Sequence, residues 1–221
     1  MAEVVALYAG RIQSRDFGGR RADTAIAKTE VHGPVWVGRL GLKGDDQADK
    51  RNHGGEARAL CVYPEERYAY WEGRLGRPLA PPAFGENARV AGRLEDEVAL
   101  GEVWQVAGVR LQVTEPRVPC WMPGAHNGEP QLTAWMADSG FTGYLLRVLE
   151  EGEIEAGAPV TVIERPARPL TVMELNRLYF KDRDDAAGLR RALAADGLLD
   201  EWRAILEKQL VRAGRPDQPS T

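Results

Sequence analysis

Chemistry is most concentrated in the stretch Glu115-Pro116-Arg117-Val118-Pro119-Cys120. Two prolines fix their own φ and push their neighbours into extended geometry, so the loop carrying Cys120 is stiff. It follows an alternating segment (Val109, Leu111, Val113) that reads as a strand, and a stiff loop leaving a strand holds one thiol in one place. Arg117, three residues back, favours the thiolate, the form that attacks electrophiles and binds soft metals. On these six residues alone the plainer reading leads, because free cysteine is among the most buried residue types and usually only packs.

The second informative cluster is Asn52-His53-Gly54-Gly55 with Arg58, inside a long polar loop from Gly41 to Arg58. Structureless loops of that length are uncommon unless functional. Paired glycines let successive backbone N–H groups converge into an anion-holding nest, and Lys50, Arg51, His53 and Arg58 surround it with donors suited to a phosphate. The competing reading is a glycine turn with solvated charges, since Asp45, Asp46 and Asp49 cancel much of the positive charge. A Cys120–His53 nucleophile pair is a further reading of the same residues.

Other chemistries lack support. His32, His53 and His126 are dispersed and form no closely spaced zinc pattern. Asp182, Asp184 and Asp185 resemble the start of a calcium loop, but Ala187 and Leu193 stand where its glycine and closing glutamate belong. Neither a dinucleotide fingerprint nor a phosphate loop ending in Gly-Lys-Ser/Thr occurs.

These residues need elements to hold them. The 221 residues, 43% hydrophobic and 28% charged, fit one large domain or a main domain with a small appendage. A net charge of -4 argues against a nucleic-acid or anionic-membrane footprint, and no run approaches the ~18 apolar residues of a membrane span. The first residues show no basic and apolar signal-peptide pattern, so a cytoplasmic location with Cys61 and Cys120 as free thiols is expected. Strands are predicted over residues 4–12, 24–31 and 35–37, close enough in sequence for antiparallel β structure. The apolar run 59–63 reads as a buried strand with Cys61 in the core, followed by a helix with Tyr68, Trp71 and Leu75 on one face. Further strands are predicted near 89–90, over 103–107 and 109–114, and over 144–149 and 158–163. Past the linker bracketed by Pro166 and Pro169 the pattern turns helical, opening on a Thr171/Glu174 capping box. Three helices end near residue 213, and residues 214–221 read as a disordered tail.

Gly44-Asp45-Asp46-Gln47, Asn52-His53-Gly54-Gly55 with Arg58-Ala59, Phe84-Gly85-Glu86-Asn87 and Pro116-Arg117-Val118-Pro119-Cys120 occur in that order. Each is weak alone, but together they closely resemble MOSC-domain proteins of the bacterial YiiM type, named for the molybdenum cofactor sulfurase C-terminal domain. The resemblance covers nearly the whole chain. It implies a mainly β, barrel-like MOSC domain with a few helices over residues 1–165, and a small three-helix bundle over 166–213. It also implies a cleft for a molybdenum–molybdopterin cofactor, with Cys120 as catalytic residue and thiolate ligand to the metal. Asn52, His53, Gly54, Gly55 and Arg58, with Lys43, Asn87 and Arg117, become cofactor-binding candidates. The implied activity is reduction of N-hydroxylated compounds, including hydroxylaminopurine-type bases, to amines. The chain has no recognisable flavin or nicotinamide site, so a separate flavin or iron–sulfur reductase would supply the electrons.

A non-redox sulfur carrier with Cys120 as persulfide holder is the alternative, and bound molybdenum separates the two. DNA binding through the last helices is disfavoured because Glu201, Arg203, Glu207, Lys208 and Arg212 mix charges without a basic face. Docking to a reductase, or self-association as a homodimer, suits these helices better.

Overall fold

The computed structural model describes residues 1–50 and 54–214. Its centre is an eight-stranded sheet. The strands are β1 (Glu3–Ala9), β4 (Thr29–Glu30), β7 (Leu60–Pro64), β8 (Ala88–Ala91), β9 (Val103–Val106), β10 (Val109–Pro116), β11 (Tyr144–Glu150) and β13 (Val160–Glu164), in the order β13-β9-β10-β11-β7-β8-β1-β4. The sheet curls until the residues leading into β13 meet β1. Val4 N–H donates to Ala158 O at 2.9 Å, Val160 N–H donates to Ala2 O at 2.9 Å, and Glu3 bridges Pro159. The fold is thus mainly β and barrel-like, and closure of this kind leaves fewer unpaired sheet edges.

Alternating apolar residues build the interior. Leu7, Val62, Val90, Trp104, Leu111 and Leu146 meet in one cluster. Two small sheets lie outside the main one: β12 (Gly152–Ile154) with β5 (Val35–Gly38) and β6 (Gly41–Leu42), and a hairpin of β2 (Gln13–Asp16) with β3 (Arg21–Thr24).

The N-terminal expectation needs correction. No strand spans 24–31, because the chain leaves β3 at Thr24 and only Thr29–Glu30 pairs again. Thr24 Oγ1 accepts from Ile26 N–H at 3.1 Å, and Lys28 N–H donates to Ile26 O at 3.0 Å, which folds the segment tightly. The N-terminal strands pair antiparallel, as expected, but the main sheet also holds one parallel pair. β7 and β8 pair in parallel, joined through helix α1 (Glu66–Leu75), so 60–91 is a βαβ unit. Tyr68 and Trp71 of α1 pack with Tyr63, Phe84, Leu132 and Met136 in a second core under the Phe84–Asn87 loop.

Helices α2 (Met122–His126) and α3 (Leu132–Ser139) follow the Cys120 loop. The C-terminal helices are α4 (Val172–Phe180), α5 (Ala186–Leu193) and α6 (Asp200–Ala213). The capping box is present: Glu174 N–H donates to Thr171 Oγ1, and Thr171 N–H donates to the Glu174 carboxylate. Asp185, read above as a failed calcium residue, caps α5 by accepting from Gly188 N–H at 2.8 Å. Leu175, Leu189, Trp202 and Leu206 join the barrel's own cluster, so this small bundle shares the main core.

Candidate functional site

A cleft of about 970 Å³ opens beside the end of β10, lined by Cys120, Arg117, Cys61, Asn87, Arg58 and their neighbours. The Cys120 loop is tied at both ends. Arg117 N–H donates to Gly143 O at 3.1 Å, and Thr133 Oγ1 donates to Cys120 O at 2.9 Å. Pro116 and Pro119 stiffen what lies between. Cys120 is half-buried and free of any disulfide.

Arg117 is the main electrostatic feature. Burial works against its charge, yet Cys61, Cys120 and Glu86 together hold its pKa above the ordinary value. Its Nη1 is buried without a hydrogen-bond partner, and among the described residues no carboxylate forms an ion pair with it. An orphaned donor on a buried guanidinium is costly in a protein interior.

Asn87 is placed by Gly85, whose φ of +74° is a left-handed conformation and whose added Cβ would sit 2.8 Å from Ile26 Cγ1. That turn sends Glu86 inward and Asn87 toward the cleft. Asn87 Nδ2 donates to Asp45 Oδ2 at 2.8 Å and to Tyr8 O at 3.3 Å, while Asn87 Oδ1 accepts from Cys61 N–H at 3.1 Å. Asp45 also accepts from Gly10 N–H at 2.8 Å and forms a buried ion pair with Lys28. Glu86 is fully buried, accepting from Phe84 N–H at 3.0 Å and from Tyr68 Oη. Burial pushes its carboxyl pKa up, opposed by the Tyr68 hydrogen bond.

Arg58 reaches the cleft already paired. Its Nε donates to Glu115 Oε1 at 2.6 Å and its Nη2 to Glu201 Oε2 at 2.9 Å, the latter from α6. Trp202 Nε1 donates to the other oxygen of Glu115 at 2.8 Å. Burial disfavours the Arg58 charge, but the two carboxylates outweigh it and raise its pKa. The third helix of the C-terminal bundle therefore supplies part of the cleft wall.

Of the sequence candidates, Cys120, Arg117, Asn87 and Arg58 come together. Lys43 is exposed and does not line the cleft. Gly54 and Gly55 are not lining residues either; a Cβ on Gly54 would lie 2.8 Å from Lys50 O, and Gly55 O accepts the Arg58 N–H that closes the short turn Glu56–Arg58. Asn52 and His53 lie outside the described residues. Cys61, expected in the core, faces the cleft; burial raises its thiol pKa and Arg117 works against that rise. Lys28, Glu115, Glu201 and Trp121 were missed. Lys28 was hidden in an apparent strand, and Glu115 stood unremarked at the head of the proline loop. Among the described residues no cluster of three or more His, Cys, Asp or Glu side chains forms a metal site, and no helix is long and apolar enough to cross a membrane.

Comparison with known proteins agrees with this architecture. Residues 49–161 match the family model of the MOSC domain, and residues 170–212 match that of the YiiM-like, 3-alpha helix domain. The protein YflK of Bacillus subtilis (strain 168) is 36% identical over 95% of either chain. A protein of Gibberella moniliformis (strain M3125 / FGSC 7600) named "Reductase" is 31% identical over 79% of this chain, which spans 32% of that protein. The crystal structure of YiiM from Geobacillus stearothermophilus superposes with a TM-score of 0.80 at 34% identity, covering 95% of this chain and all of that one. By sequence, by fold and by its C-terminal helices, the chain belongs to the MOSC-domain family, in its YiiM-like branch.

Proposed function

We propose that the protein is a molybdenum-cofactor oxidoreductase that reduces N-hydroxylated compounds to amines with electrons from a separate reductase. The observation that carries this reading is the pairing, in one cleft, of the half-buried Cys120 thiol with the unpartnered buried Nη1 of Arg117. A cofactor of this class needs a soft ligand for its metal and a donor for its phosphate, and the two residues match those needs. The cleft volume of about 970 Å³ lies at the upper end of the usual small-molecule range of roughly 300–1,000 Å³.

When bound, the cofactor supplies the two-electron centre for converting R–NHOH, two electrons and two protons into R–NH2 and water. The chain's own residues have separate tasks. Cys120 offers its Sγ as thiolate, and Arg117 stabilises that charge while its Nη1 is left for an anionic oxygen. Asn87 has both amide donors committed to Tyr8 O and Asp45 and its oxygen accepting from Cys61 N–H, so it is a positioning residue fixing the floor beside Cys61. Arg58 is neutralised by Glu115 and Glu201 and contributes shape more than charge. The relative named as a reductase is in keeping with redox chemistry.

The test is molybdenum analysis with pterin fluorescence on protein from a host that makes the cofactor, comparing wild type with Cys120→Ser. Near-stoichiometric molybdenum in wild type is expected. Loss of a metal-supporting neighbour typically costs 10- to 100-fold, so losing the ligand itself should cut turnover of a hydroxylamino substrate by at least about 100-fold. Metal-free, pterin-free wild type bearing a persulfide on Cys120 would replace the reductase reading with the sulfur-carrier one.

A further inference from the structure

Trp121, the residue after Cys120, is engaged by a part of the chain that pairs with no other strand. β2 and β3 form their own two-stranded sheet, turned through Gly18 and Gly19, and most of their residues are exposed. From this hairpin Arg20 lays its guanidinium over the Trp121 ring, 3.7 Å from the centroid. Phe17 meets the same ring edge-on at 5.6 Å and 86°. Arg20 and Asp23 of the hairpin line the same cleft as Cys120 and Trp121. A flat indole thus stands beside the candidate metal ligand, covered by a side chain that is itself exposed and held by a contact of a strength ligands readily exchange.

We propose that Trp121 is the specificity-determining residue of the cleft: its indole face stacks a planar heteroaromatic substrate, and the β2–β3 hairpin, through Arg20, is the cover that the substrate displaces. The inference rests on the reductase reading for the reaction but not for the binding. Every heteroaromatic base presents a π-face, and stacking on a protein aromatic discriminates by planarity without reading hydrogen-bond pattern. A guanidinium is a natural resident of such a face, being planar and weakly hydrated. Arg20 carries no carboxylate partner among the described residues, so lifting it breaks no ion pair. Among the described lining residues the other aromatic, Phe84, is fully buried and stacked on Tyr63 at 4.0 Å, so Trp121 is the aromatic face that a ligand can reach. A bulky saturated hydroxylamine gains no stacking from Trp121, so the residue would sort substrates by shape within the cleft that Cys120 also lines.

The experiment uses cofactor-loaded wild type, Trp121→Ala, Trp121→Phe and Arg20→Ser. The probes are 6-hydroxylaminopurine, the aliphatic N-cyclohexylhydroxylamine, and adenine for equilibrium dialysis. Trp121→Ala should lose about 5- to 140-fold in kcat/KM for the purine relative to the aliphatic compound, and in adenine affinity, the range that one stacked base contributes. Trp121→Phe should retain most of both, and molybdenum content should not change. Arg20→Ser should bind adenine as well as or better than wild type. Equal losses on both hydroxylamines, or adenine binding indifferent to Trp121→Ala, would overturn the stacking role; an adenine loss in Arg20→Ser as large as in Trp121→Ala would overturn the cover. If no preparation reduces either hydroxylamine, the reductase reading fails, and the adenine series still decides this one.

Discussion

Asn87, on the sheet side of the cleft, is buried and bonded to three fixed partners, whereas Arg20, on the hairpin side, is exposed and rests on one indole ring. The sheet-side wall grows out of β7, β8 and β10, whose backbones are locked by pairing, and even its charges are neutralised in place: Lys28 by Asp45, Arg58 by Glu115. The hairpin-side wall is a two-stranded ribbon with exposed faces, the kind of element that is marginal without further packing. A rigid wall suits a resident group that must keep one geometry, and a yielding wall suits a ligand that must come and go. Arg117 is the exception on the rigid side, the one buried cation of that wall left with an unmet donor among the described residues.

The largest stability effect should come from breaking the rigid wall at Glu115. Its carboxylate is 5% exposed and serves both Arg58 and the Trp202 indole N–H. Removing one partner of a buried pair strands the other charge, so Glu115→Ala should cost about 3 kcal/mol in a urea titration at neutral pH, the low end of the usual range because Arg58 retains Glu201. A cost below about 1 kcal/mol would mean that this wall is no firmer than the hairpin side.

Arg117→Gln probes function more than stability. A hydrogen bond to a charged group is worth about 1.5–3 kcal/mol, so retention of a phosphate-bearing cofactor through dialysis should weaken by about 10- to 100-fold. The same substitution removes the cation that works against the burial-raised pKa of Cys61. In a Cys120→Ser background, iodoacetamide should therefore alkylate Cys61 more slowly at pH 8 once Arg117 is gone, because less thiolate is present. Unchanged alkylation would separate Arg117 from Cys61.

What the sequence revealed follows the range over which its signals act. The stiff proline loop, Arg117 beside Cys120 and the Thr171 capping box were all legible because each is settled within a few residues. The Lys28–Asp45 pair was not, since the alternation over 24–31 mimics a strand, and only the tertiary pairing with Asp45 shows why the chain bends there instead. Cys61 sits in an apolar run that reads as core, yet its place on β7, bonded to Asn87, turns it to the cleft. The βαβ unit was present as a buried strand, a helix and a short strand, but which strands become neighbours is not a local property. Glu201 and Trp202 looked like ordinary members of an amphipathic helix; their role depends on where the bundle docks.

Glu86 offers a pH test of the rigid wall. Burial raises its folded-state pKa above the unfolded value, so the folded chain binds more protons between the two. The stability it contributes is full below the unfolded pKa near 4.3 and is lost as pH rises through the folded pKa. Glu86→Gln removes that titration while keeping an oxygen for Tyr68 or Phe84. Melting temperatures of wild type should therefore fall relative to Glu86→Gln as pH is raised from about 4 toward neutral. Parallel profiles would mean that Glu86 titrates as it does in the unfolded chain.

The smallest effect should be at Glu201, where the C-terminal bundle touches the same guanidinium as Glu115. Its side chain is 73% exposed, so solvent and salt screen the pair, and Glu201→Ala should cost about 0.5 kcal/mol or less. That remainder should vanish in 1 M salt, where the screening length is about 3 Å, while the Glu115 effect persists because burial shields it. Arg58 thus reads out both environments with one cation. If Glu201→Ala matched Glu115→Ala in cost and in salt insensitivity, the exposed end of α6 at Glu201 would belong to the rigid wall as fully as Trp202, which already bonds Glu115 from within the shared core.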